Sequence, residues 1–393
     1  MRTQVGIVGA GPAGLVLSHL LARAGIDSVV IEKRSRDYVI ERVRAGVLEQ
    51  GTVDLLAELG LAGRLRRECF THHGLEIRFD AHGHRIDLSG LCGGRCITVY
   101  GQNEIVKDLI DARLASGAPL HFEVGDVALG GIDTPAPRLR FTHAGEAQEL
   151  ECDFIAGCDG FHGVCRPSIP AGVLTVYERV YPFAWFGILA QAAPASDELV
   201  YSRHERGFAL ASMRTLELTR LYFQCAPDEA LKEWPDERIW EELLTRFGAP
   251  GLPSPNRGPI VQKGIAQLRS FVAEPMQYAR LFLAGDAAHI VPPTGAKGLN
   301  LAVADVRVLA RALERYYAHA DSRLLDDYSR ICLERVWRVQ RFSAWMTGLL
   351  HRFPDHDVFQ RRLQLAELSY LASSRAAQTA LAENYVGLPF QPL

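Results

Sequence analysis

The sequence predicts a mixed α/β (α+β) fold: a Rossmann-like N-terminal domain, a second domain built on a mixed β-sheet, and a helical C-terminal region. Three observations predict it. The chain opens on a strand, a turn carrying Gly9, Gly11 and Gly14, a helix and a second strand ending at Glu32. Two more apolar strands end in acid and glycine, at Asp159-Gly160 and at Gly285-Asp286. From Leu299 onward the apolar residues fall at helical spacing.

The first unit runs strand 4–8, helix 12–24 closed by Gly25, and strand 28–31. Its glycines make the turn tight, let backbone approach a pyrophosphate and let the helix pack on the strand, while the helix N-terminus faces the anion. Glu32 stands about 20 residues on, where a carboxylate takes a ribose hydroxyl and repels a 2'-phosphate. The nucleotide held there is FAD or NAD, not NADP. Residues 281–284 form a buried strand delivering Gly285-Asp286, followed by Pro292-Pro293-Thr294-Gly295-Ala296-Lys297-Gly298 and a helix. That helix N-terminus suits a ring whose reduced form is anionic. Asp286 can take a ribityl hydroxyl. Three strand-end sites so far apart in sequence suit an elongated cofactor, which favours FAD.

The chain has 393 residues, 48% of them apolar, enough for two or three domains, and its formal net charge of −3 supplies no field for nucleic acid or anionic lipid. No apolar run is long enough to span a bilayer. Eight scattered cysteines, without a signal-peptide pattern ahead of them, read as free thiols in a reducing cytoplasm. Cys92 and Cys96 lack a second ligand pair, so no metal is expected. No second Gly-x-Gly-x-x-Gly occurs, so a reducing pyridine nucleotide would bind only transiently. Lys33, Arg34 and Arg36 with Tyr38, Arg42 and Arg44 form the dense basic cluster near the nucleotide fold, either a phosphate clamp or a solvated loop.

Residues 208–214 and 220–224 read as strands joined by the turn 215–219. A hairpin closed there sets Ser212 opposite Tyr222 and Arg214 opposite Arg220, all on one face. Two facing arginines call for an anion, and the serine and tyrosine hydroxyls complete a carboxylate's hydrogen bonds. Tyr201, Tyr385 and His72 read, on their own, as core tyrosines and a surface histidine.

With Arg42 to Gly51, Ile155 to Gly163, Leu281 to Leu301 and Glu383 to Pro389 in view, nearly the whole chain resembles the class A flavoprotein aromatic hydroxylases. The resemblance implies that reduced FAD reacts with oxygen to a C4a-hydroperoxide, whose distal hydroxyl passes to C3 of 4-hydroxybenzoate, giving 3,4-dihydroxybenzoate. It assigns the carboxylate to Ser212, Arg214 and Tyr222, and the phenol to Tyr201 with Pro293. It also implies a proton relay from Tyr201 through Tyr385 to His72, with His72 expected to titrate near neutrality. Flavin contacts fall on Arg44, Gln102, Asp159, Arg220, Asp286, Gly298, Leu299 and Asn300, with positive potential from Lys297 and backbone freedom for flavin movement at Gly295 and Gly298. NADPH, the transient co-substrate, would meet Lys33, Arg34, Tyr38, Arg42, Arg44, His162 and Arg269. A cytoplasmic homodimer in aromatic catabolism is implied, and a sister hydroxylase acting on another hydroxy- or aminobenzoate is the alternative. A non-catalytic binding protein on the same fold would lack the carboxylate clamp. The resulting division is a main FAD domain 1–175, a substrate sheet 176–267, a return to the FAD domain 268–298, and a helical or interface region 299–393. Residues 336–350 carry Trp337, Phe342, Trp345 and Met346 as a core stripe that doubles as a candidate dimer face.

Overall fold

A computed structural model describes residues 1–41 and 46–391. Arg42 and Arg44, expected at the cofactor and NADPH, lie outside the described residues. The nucleotide part is a six-stranded sheet in the order Gln277–Tyr278, Leu281–Leu283, Phe154–Gly157, Val5–Val8, Ser28–Ile31, Leu120–His121. Its inner strands are parallel, and each is buried along its whole length, as strands covered on both faces must be. The Pro12–Arg23 and Gly298–His319 helices pack together over it, and both start at its C-terminal edge.

An eight-stranded sheet forms the second body, in the order His289–Ile290, Ile260–Glu274, Thr175–Ala190, Thr219–Cys225, Gly207–Met213, Leu199–His204, Gly74–Phe79, His82–Asp87. Two of its strands come from residues 74–87 and one from 289–290, stretches that sequence alone groups with the flavin part. The side-chain period of two sorts this sheet into faces. Phe186, Val200, Ala209, Leu221 and Phe223 pack under the Asp236–Phe247 helix, whereas Phe183, Trp185, Tyr201, Phe208, Leu210 and Tyr222 face the C-terminal helices.

The Tyr328–Leu350 helix buries Phe342 and Met346, as expected, but Trp337 is turned outward against exposed Tyr177. All eight cysteines are free, no cluster of potential metal ligands occurs among the described residues, and no helix is long and apolar enough to cross a membrane.

Candidate functional site

Gly9, Gly11 and Gly14 divide their work. Gly9 sits at φ +107°, and a Cβ there would strike the Cys158 carbonyl at the end of the neighbouring strand. A Cβ on Gly14 would run into the Gly9 carbonyl, so these two are demanded by the protein's own packing. A Cβ on Gly11 would meet no protein atom within 4 Å. Gly11 is therefore small for something that approaches from outside. Beside it, Glu32 accepts hydrogen bonds from the backbone N–H of Ala10 and of Arg34, both at 2.8 Å, which fixes the carboxylate at the strand end.

Asp159 accepts from the Cys165 N–H at 2.8 Å through Oδ2, while its buried Oδ1 has no hydrogen-bond partner. Burial holds its carboxyl above the usual range. Asp286 stands in the Gly285–Ala287 turn, whose Gly285 N–H donates to Asp305 Oδ2 at 2.9 Å. The same oxygen meets His289 Nε2 at 2.6 Å, a pair wholly inside the protein. Burial opposes the imidazolium, but the Asp305 carboxylate prevails and raises its pKa. This pair, which braces the Asp286 turn, has no motif by which sequence reasoning could find it.

The Gly298–His319 helix leaves its first backbone N–H groups, those of Gly298, Leu299 and Asn300, without intrahelical carbonyls. The Asn300 side chain is fully engaged: Nδ2 donates to the Val47 and Ala296 carbonyls at 3.0 and 3.1 Å, and Oδ1 accepts from the Glu49 N–H and the Thr52 hydroxyl at 2.9 Å each. The Asn300 side chain is thus spent on fixing the helix end, which leaves only its backbone N–H for a cofactor. Gln102 is the first residue of the Gln102–Ala115 helix and is half-buried. An unpartnered buried carboxylate oxygen, a glycine with open space and two helix N-termini on one sheet edge fit an extended dinucleotide such as FAD.

The hairpin differs from its expected register. Ser212 pairs with Arg220 and Leu210 with Tyr222, while the Arg214 N–H donates to the Leu218 carbonyl at 2.9 Å. The reason is local: the Thr215 hydroxyl accepts from the N–H groups of Glu217 and Leu218 at 3.1 and 3.0 Å, tightening the turn and freeing Thr219 to join the strand. A two-residue offset preserves the face, so Ser212, Arg220 and Tyr222 still point the same way. Arg220 lies over the Tyr222 ring at 5.0 Å and donates to Gln262 at 3.2 Å. Arg214 is enclosed: burial above all, and Arg220 after it, disfavour its charge, while Tyr222 beside it favours it, the net shift being downward.

At the other end of this face the hydroxyls of Tyr201 and Tyr385 are hydrogen-bonded, each ring 1% exposed. Tyr201 donates to the Thr294 carbonyl at 3.0 Å, so its oxygen must accept the proton of Tyr385. Burial drives both phenols above their normal range. Pro293, next to Thr294, is exposed. Lys297 Nζ is buried and divided between Glu49 Oε1 and the Tyr385 carbonyl, both at 2.8 Å.

His72 is a correction. It is 0% exposed, neither ring nitrogen has a partner, and burial lowers its pKa to about 4 rather than leaving it near neutrality. The coenzyme residues form two groups. Arg34 stacks over Tyr38 at 4.9 Å while Arg36 is paired to Asp111 at 2.7 Å, which among the described residues leaves the cluster's charge to Lys33 and Arg34. His162 and Arg269 both pack on Phe161, at 5.0 and 4.6 Å, and Arg269 is also paired to Glu178 at 3.1 Å.

A second set of residues escaped sequence reasoning. Trp185 Nε1 donates to His351 Nε2 at 2.6 Å, and His351 Nδ1 donates to the Thr347 carbonyl at 3.0 Å. The Thr347 hydroxyl, given to Ser343, receives Thr294 at 2.9 Å. Trp185 packs on Tyr222 at 5.0 Å. The alternation Tyr181, Phe183, Trp185 was the available signal for the tryptophan; nothing local marks His351.

The FAD binding domain family model matches residues 2–343. The chain is 49% identical over 391 residues to p-hydroxybenzoate hydroxylase of Acinetobacter baylyi, covering 100% of this chain and 96% of that one. It is 28% identical over 376 residues to a 3-amino-4-hydroxybenzoate 2-monooxygenase of Streptomyces cremeus, covering 90% and 88%. In fold it matches p-nitrophenol 4-monooxygenase of Pseudomonas putida with a TM-score of 0.82 at 20% identity, over 99% of each chain. On that evidence the chain belongs to the FAD-binding-domain family, among the class A flavoprotein hydroxylases.

Proposed function

We propose that this chain hydroxylates 4-hydroxybenzoate at C3, giving 3,4-dihydroxybenzoate, with FAD as resident cofactor and NADPH and O2 as co-substrates. The observation that carries it is one sheet face bearing groups suited to bind a carboxylate at one end, Ser212, Arg214, Arg220 and Tyr222, and the coupled phenols of Tyr201 and Tyr385 at the other. A small aromatic acid with a para hydroxyl matches both ends. The 49% identity to a p-hydroxybenzoate hydroxylase supports this substrate over the aminohydroxybenzoate of the 28% relative.

When bound and reduced by NADPH, FAD supplies the activated oxygen that the ring receives. Gly11, Glu32, Asp159, Asp286 and the N–H groups of Leu299 and Asn300 would hold it. The protein's part is to orient the ring and deprotonate the phenol. Arg214 binds the carboxylate through a charge-assisted hydrogen bond, with Ser212 and Tyr222 occupying its remaining lone pairs. Tyr201 turns from the Thr294 carbonyl to the substrate oxygen. Because both tyrosines hold their own protons tightly, they act as donors and conduits rather than as anions. Hydrogen bonds from them favour the substrate phenolate, the form whose ring attacks electrophilic oxygen. His72, with its lowered pKa, cannot store the proton at neutral pH; as a relay member it would release it at once.

NADPH is read onto Lys33, Arg34 and Tyr38 and onto His162 and Arg269. A cytoplasmic homodimer serving aromatic catabolism completes the reading. The test is NADPH consumption by FAD-loaded protein with and without 4-hydroxybenzoate, with the product identified. Stimulated consumption yielding 3,4-dihydroxybenzoate is expected; no stimulation defeats the proposal. Tyr201→Phe should still oxidise NADPH but release hydrogen peroxide instead of hydroxylated product, and normal hydroxylation by it would refute the relay.

A further inference from the structure

Away from the substrate face, a cleft opens between the Gly298–His319 helix, the Tyr328–Leu350 helix and residues 388–391. One side is apolar, with Val308, Ile331, Leu388 and Phe390. The other carries Arg307, Arg335 and Arg338.

Among the described residues these cations outnumber the carboxylates that pair with them, Glu58 reaching Arg307 only through its field. Arg338 is paired with Glu334. Glu49 alone serves two cations, Lys297 at 2.8 Å and Arg335 at 3.3 Å. Arg307 has no carboxylate within 4.0 Å among the described residues and gives Nη1 only to the Gln391 carbonyl at 3.3 Å. Asp305, which also lines the cleft, is already taken by Gly285 and His289. Arg335 Nε is enclosed and has no hydrogen-bond partner. Arg307 and Arg335 both lie over the Phe390 ring, at 4.8 and 5.1 Å, so two under-neutralised guanidiniums flank one aromatic group. Like charges held that close, with a buried donor unused, call for an anion.

We propose that this cleft is a second site for a small aromatic carboxylate, its carboxylate on Arg335 and Arg307 and its ring against Phe390 and Leu388. The ligand is argued from the cleft's own lining, while the first of the two molecules counted below rests on the substrate reading; the bromine peak beside Phe390 does not. An occupant would draw Arg335 from Glu49, whose other oxygen holds Lys297 beneath the Tyr385 carbonyl. The cleft is thereby placed to report aromatic-acid concentration to the phenol end of the substrate face.

The test is calorimetric titration of the FAD-loaded protein with benzoate, which has the ring and carboxylate but no phenol. Two molecules per chain are expected in the wild type, and one in Arg307→Gln and in Phe390→Ala. Crystals soaked in 4-bromobenzoate give a check that needs no variant, with a bromine anomalous peak expected beside Phe390. A single benzoate per chain in the wild type, a second molecule undiminished by Arg307→Gln, or no bromine in the cleft would each overturn the proposal. So would acetate filling the second site as tightly as benzoate, because the ring would then contribute nothing.

Discussion

Single residues carry the sharpest tests because their neighbours are fixed. A methyl group added at Gly11 has no protein atom to strike, whereas one at Gly14 meets the Gly9 carbonyl. Gly11→Ala should therefore leave the apoprotein's melting temperature unchanged and weaken FAD uptake, while Gly14→Ala should cost the fold itself at least about 1–3 kcal/mol, the range for overpacking. Equal behaviour of the two variants in thermal melts and FAD titrations would show that Gly11 does not face the pyrophosphate. Arg214→Lys tests the clamp: a point charge replaces a planar fork. Substrate dissociation should rise by roughly 10- to 150-fold, equivalent to about 1.5–3 kcal/mol, and an unchanged constant in a binding titration would remove Arg214 from the site. The glycines and Glu32 were legible in the sequence because backbone geometry dictates them. Tyr201, Tyr385 and His72 were not legible from their own surroundings, since a tyrosine in an apolar strand looks the same whether it serves a core or a relay, and only the resemblance singled them out.

Among elements, period-two alternation placed Ser212, Arg220 and Tyr222 on one face even though the hairpin register came out two residues away. The face survives any even offset; the exact opposite neighbour depends on the Thr215 turn, which sequence spacing did not resolve. What alternation could not show is the helix behind that face. His351 accepts from Trp185 and donates to Thr347, so it must be neutral, and burial lowers its pKa to about 3. It is 0% exposed and stacked between Phe183 and Phe208 at 4.7 and 4.3 Å. Its pKa is near 6.5 unfolded, so between pH 6.5 and 3 the unfolded chain binds the extra proton and stability falls as pH falls, by about 1.4 kcal/mol per pH unit from this group. His72 adds the same sense down to about pH 4. His289, with its raised pKa, acts oppositely, its contribution being lost as pH rises above 6.5. His351→Phe should lower stability at pH 7 by about 1–3 kcal/mol through the stranded Trp185 N–H. It should also flatten the slope of denaturation free energy against pH below 6.5 by about 1.4 kcal/mol per unit. Parallel slopes for variant and wild type would mean the imidazole is already charged in the folded protein.

For the whole molecule, the order of dinucleotide unit, substrate sheet and C-terminal helices was visible in composition and motif. The contribution of residues 74–87 to the substrate sheet was hidden, because that hairpin joins through a parallel pairing between Gly74–Phe79 and Leu199–His204, more than a hundred residues apart in sequence. For the proposed homodimer, the structure offers a second candidate face besides the one the sequence suggested. Phe342 and Met346 are spent on the core, but the Val358–Ser373 helix is apolar on two sides. Leu368 and Leu371 are buried, while Phe359, Leu363 and Tyr370 are 69%, 54% and 56% exposed. At about 100° per residue the three exposed side chains fall within one narrow stripe, opposite the buried pair. A contiguous apolar stripe in water is the signature of a contact surface. Phe359→Glu places a charge at its N-terminal end and should convert the dimer to a monomer in sedimentation velocity while leaving FAD content and substrate-stimulated NADPH oxidation in place, since the helix's buried face is untouched. A wild-type chain that sediments as a monomer at micromolar concentration, or a Phe359→Glu chain that stays dimeric, would show that this stripe is not the contact.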